Sequence, residues 1–357
     1  MRQRLGYGVQ ALCPGILLCL WLCTSAFGEA APGSPSAGET QLPQLPCDRS
    51  EFNLEAIPFK IIYETYRQTE GKENWELYLV SADGTGGTNL TGTPDVDELY
   101  PHASPDGTKV CFVVDDAGEK GKTRNVYYMN IDGTGRVKVA DNARQPCWSP
   151  DGKAIAYVKG EYDRYSTRPF ASKGLVFYDV QTQEHRPHSN EGLHHLYTIS
   201  WSPDGKWLVA TVTGGMGFDH SIIAFEAGGD GVFDLGKYGI DGCRPDLGAD
   251  GKKITWGKTD WDLYVADVDL TLAVPRVGDI RGVVKCGKEC YVSHTDLSPD
   301  GRYIAFGYGP AVNYSVGVKA PGWNICIADL TGKWVQVTTD GKHNKEPDWV
   351  PAPTAKP

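Results

Sequence analysis

Polar side chains recur at one position of a repeated segment, a few residues before each copy of a Ser-Pro-Asp-Gly turn. Aligning the copies places six residues at this position: Tyr100, Gln145, Thr198, Arg244, His294 and Glu346. Arg144, Tyr197 and Lys345 lie one residue earlier in their copies. Arginine offers paired planar donors and tyrosine a stacking face, so we predict a pocket for an anionic or sugar-like ligand. The alternative is a wet, polar channel that binds nothing.

Two histidines are candidates for a general base near this pocket. His294 belongs to the aligned position, and His195 directly precedes another predicted inner strand. Such a base, with Arg144 and Arg244 neutralising a carboxylate, would suit proton abstraction from a uronide. An isolated histidine is more often a surface or core residue. His294, His195 and Arg244 are therefore candidates for catalysis rather than assigned catalytic residues.

Cys286 and Cys290 lie four positions apart. In an oxidising compartment this spacing favours a local loop disulfide. A metal site is less well supported, because zinc usually needs further ligands and only His294 is near in sequence.

No cofactor is predicted from the motifs of the chain. The sequence contains no serine nucleophile elbow, zinc-protease helix motif, phosphate-binding glycine loop or haem-attachment motif. Asp95, Asp97 and Glu98 form an acidic run without the regular ligand spacing of a calcium loop, so we predict a solvated face. A structural calcium or other metal ion is left open.

The elements that position these residues are predicted by an internal repeat. The turn motif or a weakened form of it occurs in six places, whose Pro-equivalent positions are Pro105, Pro150, Pro203, Ala249, Pro299 and Pro351. The spacing is about 50 residues, which is the range of propeller blades. Each copy contains a short strand, the turn, two apolar strands and a final edge strand, as in one four-stranded blade.

The number of copies predicts an all-β fold, a six-bladed β-propeller of four-stranded antiparallel blades over residues 57–351. One set of outer strands, beginning near Ile61, precedes the first turn, and one inner strand near Trp349 follows the last full copy. We therefore expect the C-terminal inner strand to join the N-terminal blade and close the ring. An open solenoid and a seven-bladed ring are the alternatives.

The Trp-Ser-Pro-Asp-Gly-Lys turn, followed by a buried strand and then by residues 129–135 (Met-Asn-Ile-Asp-Gly-Thr-Gly), closely resembles the TolB-like, WD-like propeller repeat. The resemblance covers nearly all of the chain after its N-terminal segment. It implies a fold rather than an activity, because the repeat is a packing device. TolB carries an α/β domain before its propeller, and residues 29–56 are too few for one. The resemblance therefore implies only the propeller portion of TolB.

The N-terminus predicts export. Arg2 and Arg4 precede an apolar run over residues 11–23, and small residues follow at positions 26–30. This is the layout of a cleavable signal peptide over residues 1–28, and the run is short for a membrane span. We predict a flexible segment at 29–56, a disordered tail at 352–357, no membrane span in the mature chain, and a periplasmic or secreted location.

The composition limits the classes of partner. The chain has 35 Lys+Arg against 45 Asp+Glu, a formal charge of −10, which argues against nucleic acid as a partner. We predict a non-catalytic exported propeller that binds a protein partner or envelope component, or a structural subunit of a periplasmic complex, for which the propeller subunit of hydrazine synthase is a family example. The alternative is an enzyme that acts at the channel mouth, such as a polysaccharide or oligouronide lyase.

Overall fold

The structure is a computed structural model that describes residues 43–118, 121–259, 261–311 and 317–352. The predicted signal peptide and residues 353–357 of the predicted tail lie outside this part of the chain. The described residues form strands arranged in six four-stranded antiparallel sheets, together with three short 3-10 helices. The predicted all-β class and six-bladed propeller are confirmed.

Each sheet is one blade, and the strands are numbered in chain order. In the first half of the chain they are β1 (Lys60–Thr69), β2 (Lys72–Ser81), β3 (Thr88–Asn89), β4 (Asp97–Ala103), β5 (Lys109–Gly118), β6 (Gly121–Asn130), β7 (Val137–Ala140), β8 (Ala143–Trp148), β9 (Ala154–Gly160), β10 (Ser172–Asp179) and β11 (His185–Pro187). They continue as β12 (Leu196–Trp201), β13 (Trp207–Gly215), β14 (Phe218–Glu226), β15 (Val232–Asp234), β16 (Cys243–Leu247), β17 (Lys253–Gly257), β18 (Leu263–Asp269), β19 (Arg276–Val284), β20 (Cys290–Leu297), β21 (Tyr303–Pro310), β22 (Asn324–Asp329), β23 (Trp334–Gln336) and β24 (Lys345–Val350).

The last strand closes the ring, as the repeat count predicts. The inner strands of the six blades are β4, β8, β12, β16, β20 and β24. β24 pairs antiparallel with β1, with Trp349 opposite Ile61. Each inner strand contacts the inner strands on both sides, and β24 contacts β4. Strand β24 therefore covers an edge of β1 that would otherwise expose unpaired backbone groups.

Apolar side chains between neighbouring blades form the core. Leu175 and Phe177 of one blade pack against Leu196 and Leu208 of the next, and all four are buried. Sheets that pack face to face in this way share one side-chain layer, so each blade depends on its neighbours for burial.

The Ser-Pro-Asp-Gly turns have the same geometry in each full copy. In the first, the hydroxyl of Ser104 donates to Asp106 over 2.6 Å, and the backbone N–H of Gly107 donates to the carbonyl of Ser104 over 2.9 Å. Gly107 and Gly301 both have a φ of 67°, in the left-handed region that favours glycine. The turn is therefore held by its own residues rather than by partners elsewhere.

Gly107→Ala is expected to destabilise the protein more than Gly301→Ala. A Cβ at Gly107 would lie 2.1 Å from the carbonyl oxygen of Pro351, whereas nothing lies within 4 Å of a Cβ at Gly301. Both substitutions carry the left-handed strain of about 1 kcal/mol, and only the first also displaces the backbone after β24. Urea unfolding of the two variants tests this difference, and equal losses would contradict it.

Residues 43–56 of the predicted flexible segment pack against the propeller, and residues 29–42 lie outside the described part of the chain, so flexibility of the segment at 29–56 stays a prediction. They contain 3-10 helices over Arg49–Glu51 and Leu54–Ala56. The backbone N–H of Cys47 donates to the carbonyl of Trp334 over 2.9 Å, and Leu54 is buried. Apolar residues near the end of this segment bury surface on the last blade, which offsets the entropy cost of ordering it. No helix in the described ranges is long and apolar enough to cross a membrane.

Candidate functional site

Every inner strand contains a bulge at the aligned position found in the sequence. Six residues there, which we call the bulge ring, have φ between 50° and 56° although none is glycine: Tyr100, Gln145, Thr198, Arg244, His294 and Glu346. The strand register shifts beside each of them. A left-handed conformation costs a non-glycine residue about 1 kcal/mol or more. Because the bulge nevertheless recurs in all six blades, it is a constant feature of the channel wall.

Part of the bulge ring forms one buried cluster. His294 Nδ1 makes a short ion pair with Glu346, and the His294 ring packs edge-on against Tyr100 with centroids 5.0 Å apart. Burial opposes ionisation of Glu346, but the charges of His294, Arg244 and Lys345 outweigh it and lower its pKa to about 2. His294 is therefore engaged by a carboxylate rather than held ready as a base.

Lys345 joins the same cluster to the closing seam of the ring. Its Nζ lies 3.1 Å from Oε1 of Glu64 on β1, and both side chains are fully buried. Glu64 Oε2 also accepts the backbone N–H of Tyr100 over 2.9 Å. Burial raises the pKa of Glu64 to about 7, although Lys345 opposes that shift. The seam between the first and last strands is thus joined by a buried ion pair.

Arg144, another predicted ligand residue, bonds to backbone carbonyls of the protein itself. Arg144 Nη1 donates to the carbonyls of Ser166 over 3.3 Å and Arg168 over 2.8 Å. Its pKa falls to about 10 because of burial and the charge of Arg124.

Four more members of the predicted pocket form two contacting pairs within the channel wall. Gln145 Oε1 accepts the backbone N–H of Thr198 over 2.8 Å. Arg244 lies over the ring of Tyr197, 5.7 Å from its centroid. All nine residues predicted for the pocket are buried, at 0–9% exposure, so they lie inside the structure rather than at an open mouth.

His195 does not join His294. It lies at the same end of the channel, where its Nε2 is 3.3 Å from Oε1 of Glu161 and its Nδ1 is 2.6 Å from Nδ1 of His194. The two candidate bases therefore belong to separate clusters, and the structure does not bring them to one reacting centre.

The open cavity lies at the opposite end of the channel, beside the Ser-Pro-Asp-Gly turns. It has a volume of about 570 Å³. Its walls include a floor of six residues, each two positions after a bulge residue: His102, Cys147, Ser200, Asp246, Asp296 and Asp348. A collar of turn residues surrounds it, with the Pro-equivalent positions of all six copies and Trp148, Trp201 and Trp349. We did not predict this cavity, although three successive copies carry Asp at the floor position.

The floor carboxylates connect neighbouring inner strands. Asp348 accepts the backbone N–H of Ala103 over 2.7 Å, and Asp296 accepts that of Trp349 over 2.6 Å. Asp246 accepts the N–H of Leu297 over 2.9 Å. Each carboxylate thus satisfies a donor on the adjacent blade, which fixes the spacing of the inner strands.

Three carboxylates in one buried layer resist ionisation together. Burial raises the pKa of Asp348 to about 7. Burial and then the charges of Asp348 and Asp246 raise the pKa of Asp296 well above its ordinary value. Burial also lowers the pKa of His102 to about 4, and its Nε2 lies 3.3 Å from Cys147 Sγ. The floor is therefore a place where an added cation would be favoured.

Replacing Asp296 and Asp348 together by Asn is expected to stabilise the protein at pH 8. A carboxyl group whose pKa is raised by folding favours the protonated form, so its contribution is present at low pH and is lost as pH rises toward 7. The amide oxygen of Asn can still accept the backbone N–H groups. Urea unfolding should show a gain of about 2 kcal/mol at pH 8 and little gain at pH 4.5. An Asp230→Asn control on an exposed hairpin should show neither, and an equal gain at both pH values would contradict the account.

The predicted disulfide is not formed in the structure. Cys286 is fully buried, its Sγ lies 3.2 Å from the carbonyl oxygen of Trp261, and its backbone N–H donates to Asp262 over 2.6 Å. Cys290 is half-buried at the start of β20, and both residues are thiols.

The acidic run near β4 is paired with basic side chains. Asp95 pairs with Lys72, Asp97 with Lys122, and Glu98 with Arg136. Within the described ranges, no group of three or more His, Cys, Asp or Glu side chains has an arrangement that could hold a metal ion. The expectation of no cofactor is not tested by this and stays a prediction.

The blades, their turns and the closing strand define a six-bladed propeller, and its fold is similar to the propellers of solved TolB structures. TolB from Acinetobacter baumannii superposes with a TM-score of 0.60 at 19% identity, over 82% of this chain and 67% of that one. A putative TolB from Agrobacterium tumefaciens gives 0.55 at 15% identity, over 82% of this chain and 99% of the other. A chain of hydrazine synthase from Kuenenia stuttgartiensis superposes with a TM-score of 0.55 at 14% identity, over 82% of this chain and 46% of that one. These likenesses concern the fold.

The sequence comparisons match much shorter stretches of the chain than the structural ones. No family model matches the chain. Dipeptidyl-peptidase 5 of Porphyromonas gingivalis is 36% identical over 63 residues, which are 16% of this chain and 9% of that protein. An uncharacterised protein of Agrobacterium fabrum is 33% identical over 94 residues, which are 24% of this chain and 32% of that protein. The matched segments therefore span about a tenth of the length of the peptidase and about a third of the length of the Agrobacterium protein.

Proposed function

We propose that this chain is an exported, non-catalytic binding propeller that receives a protein partner of the cell envelope in the cavity beside its Ser-Pro-Asp-Gly turns. The observation that supports this most directly is the cavity itself, about 570 Å³ with an apolar collar and an acidic floor. Tryptophan and proline in a concave surface suit the burial of apolar side chains. The carboxylates below them favour a partner segment that also carries a basic side chain.

The same cavity allows a second form of this function, in which the chain is a structural subunit of a periplasmic complex. The likeness to a chain of hydrazine synthase supports this form, because that chain includes a propeller of the same fold. In either form the propeller supplies a rigid ring, and the partner contributes the segment that enters it.

A photo-reactive residue at the collar tests the proposal. Benzoylphenylalanine at Ala249 would face the cavity entrance, and the same residue at exposed Leu272 on an outer hairpin is the matched control. Irradiation in the native envelope should give one defined cross-linked protein from position 249 and none from position 272. Asp296→Asn with Asp348→Asn keeps the acceptors for the backbone N–H groups of Trp349 and Ala103, and it should weaken that product by removing the carboxylates. Equal products from both positions, or none from 249, would reject the cavity as the binding site.

The lyase alternative needs a histidine that is free to take a proton and arginines that are free to bind a carboxylate. His294 pairs with Glu346, His195 pairs with Glu161, and Arg144 bonds to loop carbonyls. No geometric observation favours this alternative over partner binding. Turnover of a uronide by the wild-type protein that is lost in both His294→Ala and Arg244→Ala would support the lyase alternative.

A further inference from the structure

Three loops at the end of the channel opposite the cavity are joined through two adjacent imidazoles. Glu161 follows β9, His194 and His195 precede β12, and Met216 lies in the turn between β13 and β14. The backbone N–H of Met216 donates to His194 Nε2 over 3.2 Å. His194 Nδ1 lies 2.6 Å from His195 Nδ1, and His195 Nε2 lies 3.3 Å from Glu161 Oε1. These contacts form a continuous chain across two blades.

The chain of contacts fixes where the protons are. Because His194 Nε2 accepts a backbone N–H, the proton of the neutral His194 ring is on Nδ1, which donates to His195 Nδ1. The proton of His195 is then on Nε2, facing the Glu161 carboxylate. All four ring nitrogens are used, two as donors and two as acceptors. A third proton would have to bind a nitrogen that already accepts a hydrogen bond.

The surroundings hold the two rings in place. The Phe170 ring is stacked on His195 with centroids 6.5 Å apart. A Cβ at Gly215 would lie 2.6 Å from the Cβ of His195, so the absence of a side chain there allows this contact. Burial, and then His195, lower the pKa of His194. The side chains of His195 and Glu161 are 20% and 23% exposed, so protons from solvent can reach the chain of contacts.

The charged and titratable groups near these loops come from the adjoining strands. Glu161 is the acidic group that acts on His194, and it also acts on Arg144 of β8. On β14, His220 Nε2 lies 3.2 Å from the hydroxyl of Tyr197, and the charge of Arg244 acts on His220. These groups lie on the blades that the two histidines connect.

We propose that the Glu161–His195–His194 chain is a pH-sensitive latch that ties the loop at residues 161–171 to the β13–β14 turn and opens in mild acid. Protonation places a hydrogen on a nitrogen that accepts one, so either the bond between the imidazoles or the bond to Met216 is lost. The loop at 161–171 also provides the carbonyls that hold Arg144. Opening the latch therefore releases the β13–β14 turn from the loop at 161–171, which Arg144 still holds.

Hydrogen exchange at the Met216 amide is the direct test. Exchange is measured on the purified protein at pH 7.5 and pH 5.5 and corrected for the intrinsic pH dependence of amide exchange. We expect the corrected rate at Met216 to rise about fivefold at pH 5.5, as the loss of one hydrogen bond predicts. Peptides from residues 161–171 should change less, because Arg144 and Tyr165 still bond that loop to the protein.

Two variants make the result specific to the latch. In a His194→Gln, His195→Gln variant the pH dependence at Met216 should disappear. His185→Gln is the matched control, because that histidine bonds to Tyr157 on an outer strand and should leave the dependence intact. Equal corrected rates at both pH values in the wild-type protein would overturn the proposal. So would a pH dependence that persists in the double variant.

Discussion

A chain truncated after Asn344 is expected to lose cooperative folding rather than a fraction of its stability. The truncation removes β24, which is the inner strand of the first blade and the cover of the β1 edge. It also removes Trp349, which is 4% exposed and whose indole N–H donates to the carbonyl of Asp296 over 3.0 Å. The expected loss exceeds about 5 kcal/mol, which is comparable with the whole stability of a domain.

Thermal unfolding followed by tryptophan fluorescence measures this loss. The control is a chain truncated after Ala352, which retains β24 and should unfold at the temperature of the full chain. The exposed ten-residue edge of β1 should also make the shorter chain aggregate. A sharp transition near the control temperature would show that five blades and an open sixth are stable without the closing strand.

The ring could be predicted from the sequence because each copy carries its own evidence. The turn at Pro105 and the apolar strand that follows it recur about every 50 residues. The first outer strands lack an inner strand and the last inner strand lacks outer ones, so closure follows from counting. The pairing of Trp349 with Ile61 confirms that prediction. Local signals were sufficient because a blade is a local unit.

The position of the bulge ring could be predicted, but not the partners of its members. His294 and Glu346 are 52 positions apart, and Lys345 and Glu64 are 281 apart, so ring geometry alone brings them together. The bulges have a sequence signal that we did not use. Proline, which has no N–H for a strand ladder, follows four of the six bulge residues: Tyr100, Gln145, Arg244 and Glu346.

The floor of the cavity was missed because its residues share no chemical type. His102 and Cys147 occupy the same position as the three aspartates, so no motif marks it. The common property of the position is a side chain that accepts a backbone N–H hydrogen bond from the next blade, as Asp348 does from Ala103. Only the assembled ring shows that these side chains also surround one cavity.

Lys345→Met is expected to cost about 3–5 kcal/mol, because it leaves the carboxylate of Glu64 buried without its ammonium partner. Both side chains are fully buried and their charged atoms lie 3.1 Å apart at the seam of the ring. The Lys345 ammonium also lies 4.6 Å from the centroid of the Trp75 ring, a contact that Met cannot replace electrostatically. Urea unfolding at pH 8, where Glu64 paired with Lys345 is mostly ionised, measures the effect.

A double-mutant cycle separates the charge effect from packing. Glu64→Gln with Lys345→Met removes both charges and keeps an acceptor for the backbone N–H of Tyr100, so this pair should recover most of the loss. The matched surface pair is Lys333 with Glu51, 3.1 Å apart but about half exposed, where Lys333→Met should cost far less than Lys345→Met because solvent screens the charges. If Lys345→Met costs no more than Lys333→Met, the seam is held by its backbone ladder alone. If the double variant is no more stable than Lys345→Met, lost packing rather than an unpaired carboxylate determines the cost.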